Sequence, residues 1–466
     1  MCDELRWCEV GAYGGAARRR DGSPLTPAVD RLAAEGVRFE TAVSNCPICV
    51  PARTVVLSGQ HARTSLGSTS NPVLRFRSDD SLDPREGWLF EAYAPPERVA
   101  FPDPTLPELL RDAGHHTRAI GKWHVDAWPH HLGFERYCIP RAHHAHTAQL
   151  FTDDGGPEFS PPGFSPDFER DCVSAFLREP ETRERPWFLY YNVSPPHMPL
   201  ADMPERYLTM VDPESVEPRG NIPDGFDLRD HADAARAYLW DFRAYLNAMP
   251  HAREAEVPTL RELTALYLGA TAWVDDTLAA VLDALDASGQ RDNTLVVFTS
   301  DHGDLLGSHG LLGKGTLHEE SARVPLIARG PGVAAGHVDR GVASLLDVAP
   351  TLLRLAGIEP PDHMQGEDLG PRLAGGEPPE DTRAWIESAD GLGLGLRTPD
   401  RLDVFERAGI GEPLTRVAES WDLTADPLQL DAAAAARQAA ASPGKLEAAI
   451  RWDAQTPVAV PAASGA

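Results

Sequence analysis

The sequence predicts an α/β fold in which a mostly parallel sheet is sandwiched by helices, followed by a smaller C-terminal α+β subdomain. Three observations predict it. Apolar strand-like runs alternate with amphipathic helical runs along most of the chain. Several of the helical runs carry start and stop residues, and polar strings follow three of the strand-like runs. With 466 residues, 42% of them hydrophobic, the chain is long enough to bury a large core.

The first half of the chain contains two helix-strand pairs. "TPAVDRLAAEG" predicts a helix with Thr26 as N-cap, Pro27 in its first turn and Gly36 beyond its end, and "VRFETAV" predicts the strand that follows. "TLPELLRDAG" repeats this design, with Thr105 as N-cap and Gly114 as the stop. "HTRAIGKWH" then predicts a strand that runs into a loop.

The second half continues the alternation. "PWFLYYNVSPPH" predicts an apolar strand that a double proline ends, and residues 259–287 predict one long helix with apolar residues three and four apart. "NTLVVFTSDHGD" and "RVPLIARGPG" predict buried strands, and "LLDVAPTLLRLAGIEPP" predicts a helix that stops at Gly357. Residues 70–104 and 126–186 predict loops, and 204–258 predict a polar insertion with one helical part.

The composition of the sequence changes near residue 370, where "LAGGEPPEDT" is typical of a linker. We therefore expect a main domain over 1–370 and a smaller subdomain over 371–455. The subdomain is expected to be poor in strands and to end in an alanine-rich helix over 431–451. Residues 456–466 are expected to form a tail.

Charge and cysteine content exclude several classes of protein. The formal net charge is −27 and the pI is near 5.0, which argues against nucleic acid and against an anionic membrane surface as partners. Six cysteines in so long a chain do not form a disulfide framework. No signal-peptide pattern and no membrane-spanning run is seen, so we expect a cytoplasmic protein without a membrane partner.

"NCPICVPARTVVLSG" leaves three interpretations open. Cys46 and Cys49 are spaced as in a redox or metal-binding CxxC pair, or they are simply two small buried residues. Alternatively, Cys49 opens a C-x-P-x-R string at the start of a helix. The amides of that helix start and the Arg53 fork would then attract an anion.

Polar side chains follow three predicted strands, in the strings "GKWH", "SPPH" and "SDHG". The candidate residues there are Lys122, His124, His197, Asp301 and His302. Ligands of open α/β sheets bind at the carboxyl ends of strands, so we expect these side chains to meet. A carboxylate next to an imidazole suits a divalent cation, although a capped turn would use the same pair.

Together these strings resemble the sulfatases of the alkaline-phosphatase superfamily. The resemblance covers residues 3 to about 370, through "DELRW", the C-x-P-x-R helix start, "GKWH", "SPPHMP", "TSDHGDLLGSHGLLGKG" and "DVAPTLLRLAGI". Because a histidine follows the aspartate of the "SDHG" string, the sequence is most similar to the choline-sulfatase and phosphonate-monoester-hydrolase branch. The resemblance implies an alkaline-phosphatase-like sheet and hydrolysis of a small anionic sulfate ester.

The resemblance also implies a role for each site residue. Cys49 would be converted to formylglycine by a formylglycine-generating enzyme that binds transiently. One divalent cation, Ca²⁺ or Mn²⁺ with Mg²⁺ as a further candidate, would be held by Asp3, Cys49, Asp301 and His302. The hydrated formylglycine would be supported by Arg53, and the sulfate site would be lined by Lys122, His124, His197 and Lys314. His124 would act as the base, and His197 or Lys314 as the acid for the leaving group.

Three alternatives to sulfate-ester hydrolysis remain open, and the sequence departs from the family pattern at one point. The chain could hydrolyse phosphonate monoesters or phosphodiesters, be a catalytically inactive sulfatase-fold protein, or use Cys46 and Cys49 in thiol redox chemistry. A homo-oligomer also stays open. The departure concerns Asp3, which in the family follows a central apolar strand, whereas here Met1 lies two residues before it. We expect either an upstream start or a fold without that core strand, and the stability of a core favours the first.

Overall fold

The computed structural model describes residues 1–71, 98, 100–141, 145–240, 256–442 and 444–458. Most of the predicted loop over 70–104 therefore lies outside the described residues. So do the second half of the predicted helical string in the insertion and most of the predicted tail.

The strands are short and are spread along the whole described chain. In order they are β1 (Cys2–Asp3), β2 (Val37–Val43), β3 (His116–Gly121), β4 (Arg136–Pro140), β5 (Phe151–Asp153), β6 (Trp187–Pro196), β7 (Val296–Thr299), β8 (Arg323–Val324), β9 (Leu326–Arg329), β10 (His337–Ser344), β11 (Ala384–Glu387), β12 (Gly393–Arg397), β13 (Arg401–Arg407) and β14 (Leu414–Asp422).

The helices alternate with these strands. In order they are α1 (Pro27–Ala34), α2 (Cys49–Ser58), α3 (Ala62–Ser65), α4 (Leu106–Asp112), α5 (Ser165–Phe176), α6 (Glu181–Glu184), α7 (Glu205–Leu208), α8 (Ala232–Trp240), α9 (Leu260–Ala287), α10 (Glu319–Ala322), α11 (Val348–Leu355), α12 (Gly370–Leu373), α13 (Ala432–Ala440) and α14 (Gly444–Gln455). Short 3-10 helices lie at Trp7–Glu9, Gly11–Tyr13, Pro129–Leu132, Pro213–Ser215, Leu228–His231, Arg291–Asn293, Ser308–Gly310 and Leu345–Asp347.

The central sheet is rich in parallel strands, as the sequence predicts. One half has the order β1-β6-β3-β4-β5, and the other has the order β10-β2-β9-β7. Strand β9 is antiparallel to both β2 and β7, so β2, β7 and β10 share one direction. A parallel bridge from Cys2 to Ser300 joins the two halves and gives β1 that same direction. Their carboxyl ends therefore meet at one edge of the sheet.

Helices cover both faces of this sheet, as alternate residues of β6 demonstrate. Tyr190 packs into the cluster that includes Val55 of α2, whereas Val193 packs into the cluster of α1 and α9. Helix α9 packs against β6, α1 and α5, and α11 packs against α2 and α4. The core therefore has two apolar layers with the sheet between them.

Helix α9 is the longest helix of the described chain and lies in the core. Thr259 caps it in a reciprocal capping box with Glu262, as a start near residue 259 predicts. Among the described residues, only this helix has the length and apolar composition of a membrane-crossing segment. Trp273 is 1% exposed, and two thirds of the most apolar 18-residue stretch is buried within the fold. The apolar stripe predicted for this helix thus packs in the core.

Strand β1 is only two residues long, and an apolar cavity continues its line. The α-amino group of Met1 donates to Tyr191 O at 2.8 Å, and Val193 N donates to Met1 O at 3.0 Å. Beyond Met1, a cavity of about 710 Å³ lies between β6 and β7 and is lined by apolar side chains that include Leu278 and Phe298. Strand β1 is thus shorter than the central apolar strand that the resemblance implies.

The predicted helix over "TPAVDRLAAEG" is confirmed, but its cap differs from the prediction. Thr26 precedes α1, yet its hydroxyl accepts from Gly11 N at 2.9 Å and makes no capping bond. The buried carboxylate of Asp275 on α9 instead accepts from Ala28 N and Val29 N, each at 2.9 Å. A tertiary contact has replaced the local cap.

Two sequence predictions of irregular structure are wrong. Residues 126–186 contain β4, β5 and the twelve-residue helix α5 in addition to loops. The region after 370 is not poor in strands, because β11 to β14 form a four-stranded antiparallel sheet. The alanine-rich run over 431–451 forms two helices, α13 and α14, rather than one.

Candidate functional site

The predicted site residues come together at the carboxyl edge of the central sheet. Asp3 ends β1, Lys122 follows β3, His197 follows β6, and Asp301 comes two residues after β7. Helix α2 begins at Cys49, directly beside them. The sheet therefore brings together segments that are up to about 300 residues apart in the sequence, as the rule for parallel strands predicts.

Four buried side chains at this edge form a compact group of potential metal ligands. One ligand atom from each of Asp3, Cys49, Asp301 and His302 lies within 4.8 Å of all the others. The Cys49 Sγ atom is 3.3 Å from His302 Nε2 and 3.9 Å from Asp3 Oδ1. The His302 Nε2 atom is 3.6 Å from Asp301 Oδ1. Two carboxylate oxygens and an imidazole nitrogen suit a divalent cation.

The tautomer of His302 also suits a ligand of a divalent cation. Its Nδ1 atom lies 2.9 Å from the carbonyl oxygen of Gly303, and a carbonyl can only accept a hydrogen bond. The proton therefore belongs on Nδ1, which leaves the lone pair of Nε2 directed at the ligand group. A backbone partner on the second nitrogen is the usual way in which a metal-binding histidine is oriented.

Arg53 fixes the two carboxylates of this group. It lies one helical turn after Cys49 on α2, so both side chains share a face of the helix. Its Nη2 donates to Asp3 Oδ2 at 2.9 Å, its Nε donates to Asp301 Oδ2 at 3.1 Å, and its Nη1 donates to Lys122 O at 3.1 Å. The guanidinium thus orients both carboxylates.

The remaining predicted residues surround the Cys49 thiol. Lys122 forms an ion pair with Asp3, and both His124 and His197 hydrogen-bond to the thiol. The His197 Nδ1 atom lies 2.8 Å from Met198 O, which orients that ring. All nine residues predicted for the site therefore lie in one cluster, in which seven are buried and His124 and Lys314 are partly exposed: Asp3, Cys49, Arg53, Lys122, His124, His197, Asp301, His302 and Lys314.

The cluster is cationic enough to favour an anion despite the acidic surface of the chain. Burial and Asp3 oppose ionisation of Cys49, but Lys314 and Lys122 hold the pKa of its thiol well below the usual range. Burial also opposes the charge on Asp3, yet Lys122 and its other cationic neighbours keep the pKa of this carboxyl well below normal. A second negative group would be stabilised in the same field.

The two histidines and the lysine differ in charge. Burial, Lys314 and Lys122 together lower the pKa of His197 to about 3. Burial also lowers the pKa of His124. Burial opposes the charge on Lys314, but Cys49 and the neighbouring carboxylates raise the pKa of its ammonium. At neutral pH the lysine is therefore protonated and both imidazoles are neutral.

Cys46 takes no part in this cluster. Its Sγ atom donates to Thr69 O at 3.1 Å, and its side chain packs in the apolar layer with Ala52 and Val55. Burial raises the pKa of its thiol well above normal. Both cysteines are free thiols, and of the two only Cys49 belongs to the group of potential metal ligands. The CxxC interpretation therefore loses its geometric basis.

Sequence reasoning missed three residues beside the site. Glu4 lies 3.1 Å from Lys314, and its contact with Asp304 appears only in the structure. Burial and Asp304 raise the pKa of the Glu4 carboxyl well above normal, while Lys314 opposes that shift. The Tyr238 hydroxyl on α8 contacts Asp304 at 2.7 Å. Asp304 belongs to the "SDHGD" string, but no sequence signal marks Tyr238.

Comparison with known proteins places these strings in a family context. A family model described as Sulfatase matches residues 1–358. The "Ulvan-active sulfatase" of Formosa agariphila is 27% identical over 399 residues, which cover 83% of this chain and 66% of that protein. The "Multifunctional alkaline phosphatase superfamily protein PehA" of Trinickia caryophylli is 30% identical over 393 residues, which cover 78% of this chain and 74% of that protein.

A solved structure shares the fold. The phosphonate monoester hydrolase SpPMH from Silicibacter pomeroyi superposes with a TM-score of 0.68, covering 98% of this chain and 95% of that chain. The two sequences are 22% identical, so the likeness concerns the fold alone. It identifies the parallel-rich sheet between helices as alkaline-phosphatase-like.

Proposed function

The chain belongs to the sulfatase family, hydrolases of sulfate esters, and we propose that it uses Cys49, converted to formylglycine, and one divalent cation to release sulfate from a small organic ester. The observation that carries this proposal is the position of Cys49. Its Sγ atom lies at the first turn of α2, inside the group formed by Asp3, Asp301 and His302.

The donor set supports a single metal ion. Asp3, Asp301 and His302 would hold it together with the converted side chain of Cys49, and Ca²⁺, Mn²⁺ and Mg²⁺ all accept carboxylate oxygens. When bound, the cation supplies Lewis-acid stabilisation of negative charge and lowers the pKa of a bound hydroxyl. Arg53 keeps both carboxylates facing the ion.

The formylglycine supplies a nucleophilic hydroxyl when hydrated, and the chain supplies its surroundings. A sulfate ester repels a nucleophile through its own oxygens, so the site must neutralise that charge. Lys122, which is buried, and Lys314, which is partly exposed, provide two ammonium groups in the cluster. We expect them to bind the sulfate oxygens and to orient the sulfur toward residue 49.

We expect His124, Lys314 and His197, which surround residue 49, to handle proton transfer. His124 is neutral and contacts the Cys49 side chain, so it can accept a proton from that position. On the leaving-group side, Lys314 carries a proton at neutral pH, whereas His197 does not. Lys314 is therefore our choice of donor to the departing alcohol oxygen, and His197 orients that oxygen by a hydrogen bond.

Hydrolysis of phosphonate monoesters or phosphodiesters is the second candidate function. It is supported by the description of PehA as multifunctional and by His302, which follows the aspartate as in the phosphonate-hydrolase branch. Phosphonates and sulfates demand the same cationic anion site. A panel of phenyl sulfate, phenyl phosphonate and a phosphodiester, compared by kcat/KM, distinguishes the two functions.

Peptide mass spectrometry over residues 38–63 of the native protein tests the central claim. We expect the mass that corresponds to replacement of the Cys49 thiol by an aldehyde oxygen, together with sulfate release from aryl sulfates. The host must supply a formylglycine-generating enzyme, so protein made with and without that enzyme is the matched pair. Equal turnover by both preparations would contradict the proposal.

A further inference from the structure

We propose that Cys138 and Cys172 form a reversible disulfide that ties α5 to β4 when a low-molecular-weight disulfide such as oxidised glutathione is present. The inference goes beyond the proposed function, because no group of the sulfate site takes part in it. It follows from the position of the two thiols on facing elements and from the difference in their exposure.

The register of the sheet places the Cys138 side chain beneath α5. In the parallel pairing of β3 with β4, Ile120 is the partner of Cys138, and partners in register point to the same face of a sheet. The Ile120 side chain packs in one cluster with Val173 and Phe176 of α5. Cys138 therefore faces the helix.

Helix α5 turns Cys172 toward the same place. The Cys172 side chain packs against the cluster that contains Ile120, and the Cys138 thiol donates a hydrogen bond to the Cys172 sulfur. Both cysteines are free. A bond between two sulfur atoms is about 2.0 Å long, so thiols that already touch need only a small side-chain rotation to form it.

The two thiols differ in their access to solvent. Cys172 is partly exposed, whereas Cys138 is 3% exposed. The hydrogen bond from Cys138 holds the pKa of the Cys172 thiol below its ordinary value, and Arg118 acts in the same direction, while burial and Asp153 oppose them. The thiolate is the nucleophile in disulfide exchange, so Cys172 is the sulfur that reacts first.

The exchange takes two steps. Cys172 loses its proton and attacks one sulfur of oxidised glutathione, so that a mixed disulfide forms and one glutathione leaves as the thiol. Cys138 then loses its proton and attacks the Cys172 sulfur, so that the mixed disulfide breaks and the second glutathione leaves as the thiol. The protein pair gives up two electrons and two protons, and the glutathione disulfide takes up both.

The first step prepares the second. The hydrogen bond to Cys172 is the main reason why the pKa of the Cys138 thiol is raised, and burial adds to it. In the mixed disulfide Cys172 carries no negative charge for the Cys138 proton to stabilise. The main cause of the raised pKa then disappears, and Cys138 can ionise directly beside the sulfur that it attacks.

A bound metal ion is the weaker explanation of this pair. A structural zinc site needs four ligands at close range. Among the residues that the structure describes, neither cysteine belongs to a group of three or more side chains that could hold a metal ion. Two facing thiols are instead the arrangement of a redox pair, and in reducing compartments such disulfides are usually transient.

Peptide mapping of the native protein, reduced and then transferred into oxidised glutathione, tests the inference. After an acid quench, alkylation in urea and tryptic digestion, residues 137–141 should be joined to residues 171–178, with the mass of two hydrogens lost. Cys2, Cys8 and Cys46 should be alkylated. A disulfide constrains the unfolded chain, so oxidation should raise the melting temperature by about 2–6 °C, and dithiothreitol should reverse both changes.

The matched control is Cys8→Ser. Cys8 is also partly exposed, but its thiol contacts the Glu9 carboxylate at 3.7 Å. We expect this variant to form the cross-link to the same extent as wild type. Cys172→Ser should form no cross-link, and oxidation should leave its melting temperature unchanged. The mapping of wild type stands by itself if Cys172→Ser does not fold.

Three results would overturn the inference. They are two thiols that stay alkylatable in the oxidised wild type, a Cys172 that stops at the mixed disulfide, and a cross-link that forms only when urea precedes the oxidant. The last result would show that the thiols meet only in the unfolded chain. Sulfate release is not a readout of this experiment, so its failure and the failure of the proposed function are distinguishable.

Discussion

The Arg53 guanidinium donates to the Asp3 carboxylate at 2.9 Å, and neither side chain has any solvent exposure. Arg53 also bridges to Asp301, so one guanidinium contacts both buried negative charges, of which Asp3 is also paired with Lys122. Removal of one member of a buried charge network leaves the others uncompensated, which is far more costly than the loss of a surface pair.

Arg53→Met should therefore lower the free energy of unfolding by about 3–5 kcal/mol. Urea denaturation of the metal-free protein measures it. The matched control is Arg416→Met, which breaks an exposed pair with Glu406 and should change stability by less than about 1 kcal/mol. Equal effects of the two substitutions would show that the buried carboxylates do not depend on Arg53.

Cys49→Ala should abolish turnover and leave the fold intact. The side chain is small and is replaced by a smaller one, so the protein should keep its circular dichroism spectrum and lose only the reacting group. Cys46→Ser is the control, because Cys46 packs in the apolar layer away from the charged cluster. We expect that variant to retain kcat within about threefold. A Cys49→Ala enzyme with normal kcat would refute the assigned nucleophile.

A divalent cation should stabilise the native protein. At a free concentration 100 times its dissociation constant, a ligand that binds only the folded state adds about 2.7 kcal/mol. After chelation and dialysis, addition of Mn²⁺ or Ca²⁺ should therefore raise the melting temperature and restore activity. His302→Gln should lose most of this shift, and Gln substitution of the exposed His231 should keep it. A shift that persists in His302→Gln would place the cation elsewhere.

The sequence could predict this site because each of its segments is a short local string. Asp301 and His302 are adjacent in the chain, and Cys49 and Arg53 lie one helical turn apart, so each pair is visible as a local pattern. The rule that ligands bind at the carboxyl ends of parallel strands then predicts that the pairs meet. The contact between Glu4 and Lys314 joins residues 310 apart and depends on loop geometry, which no local pattern encodes.

There are also physical reasons why the sequence does not predict helix α5 and the C-terminal sheet. Helix α5 begins with Ser165 and Pro166, and the prolines of this stretch favour a loop prediction, although proline is also favoured in the first turn of a helix. In the C-terminal sheet, β12 carries Gly393 and Gly395. Glycine weakens the strand pattern, so only the pairing with β13 identifies this segment as a strand.

His61 should make stability depend on pH, because it is buried as a neutral ring. It lies between α2 and α3 and is 4% exposed. Its ring packs edge-on against the Trp452 ring, with 4.9 Å between the ring centroids. Burial, with a contribution from Arg63, lowers the pKa of His61 to about 3. In the unfolded chain its pKa is about 6.5, so the unfolded state binds the extra proton first as the pH falls.

The stabilisation from the low pKa of His61 is therefore complete above pH 6.5 and is lost as the pH falls toward 3. The slope is about 1.4 kcal/mol for each pH unit in that window. Between pH 7.5 and 4.5, wild type should lose about 2–3 kcal/mol more than His61→Gln does, as measured by urea denaturation at each pH. The Gln variant of exposed His231 should follow wild type at every pH. If His61→Gln instead parallels wild type across the window, the ring is protonated in the native state.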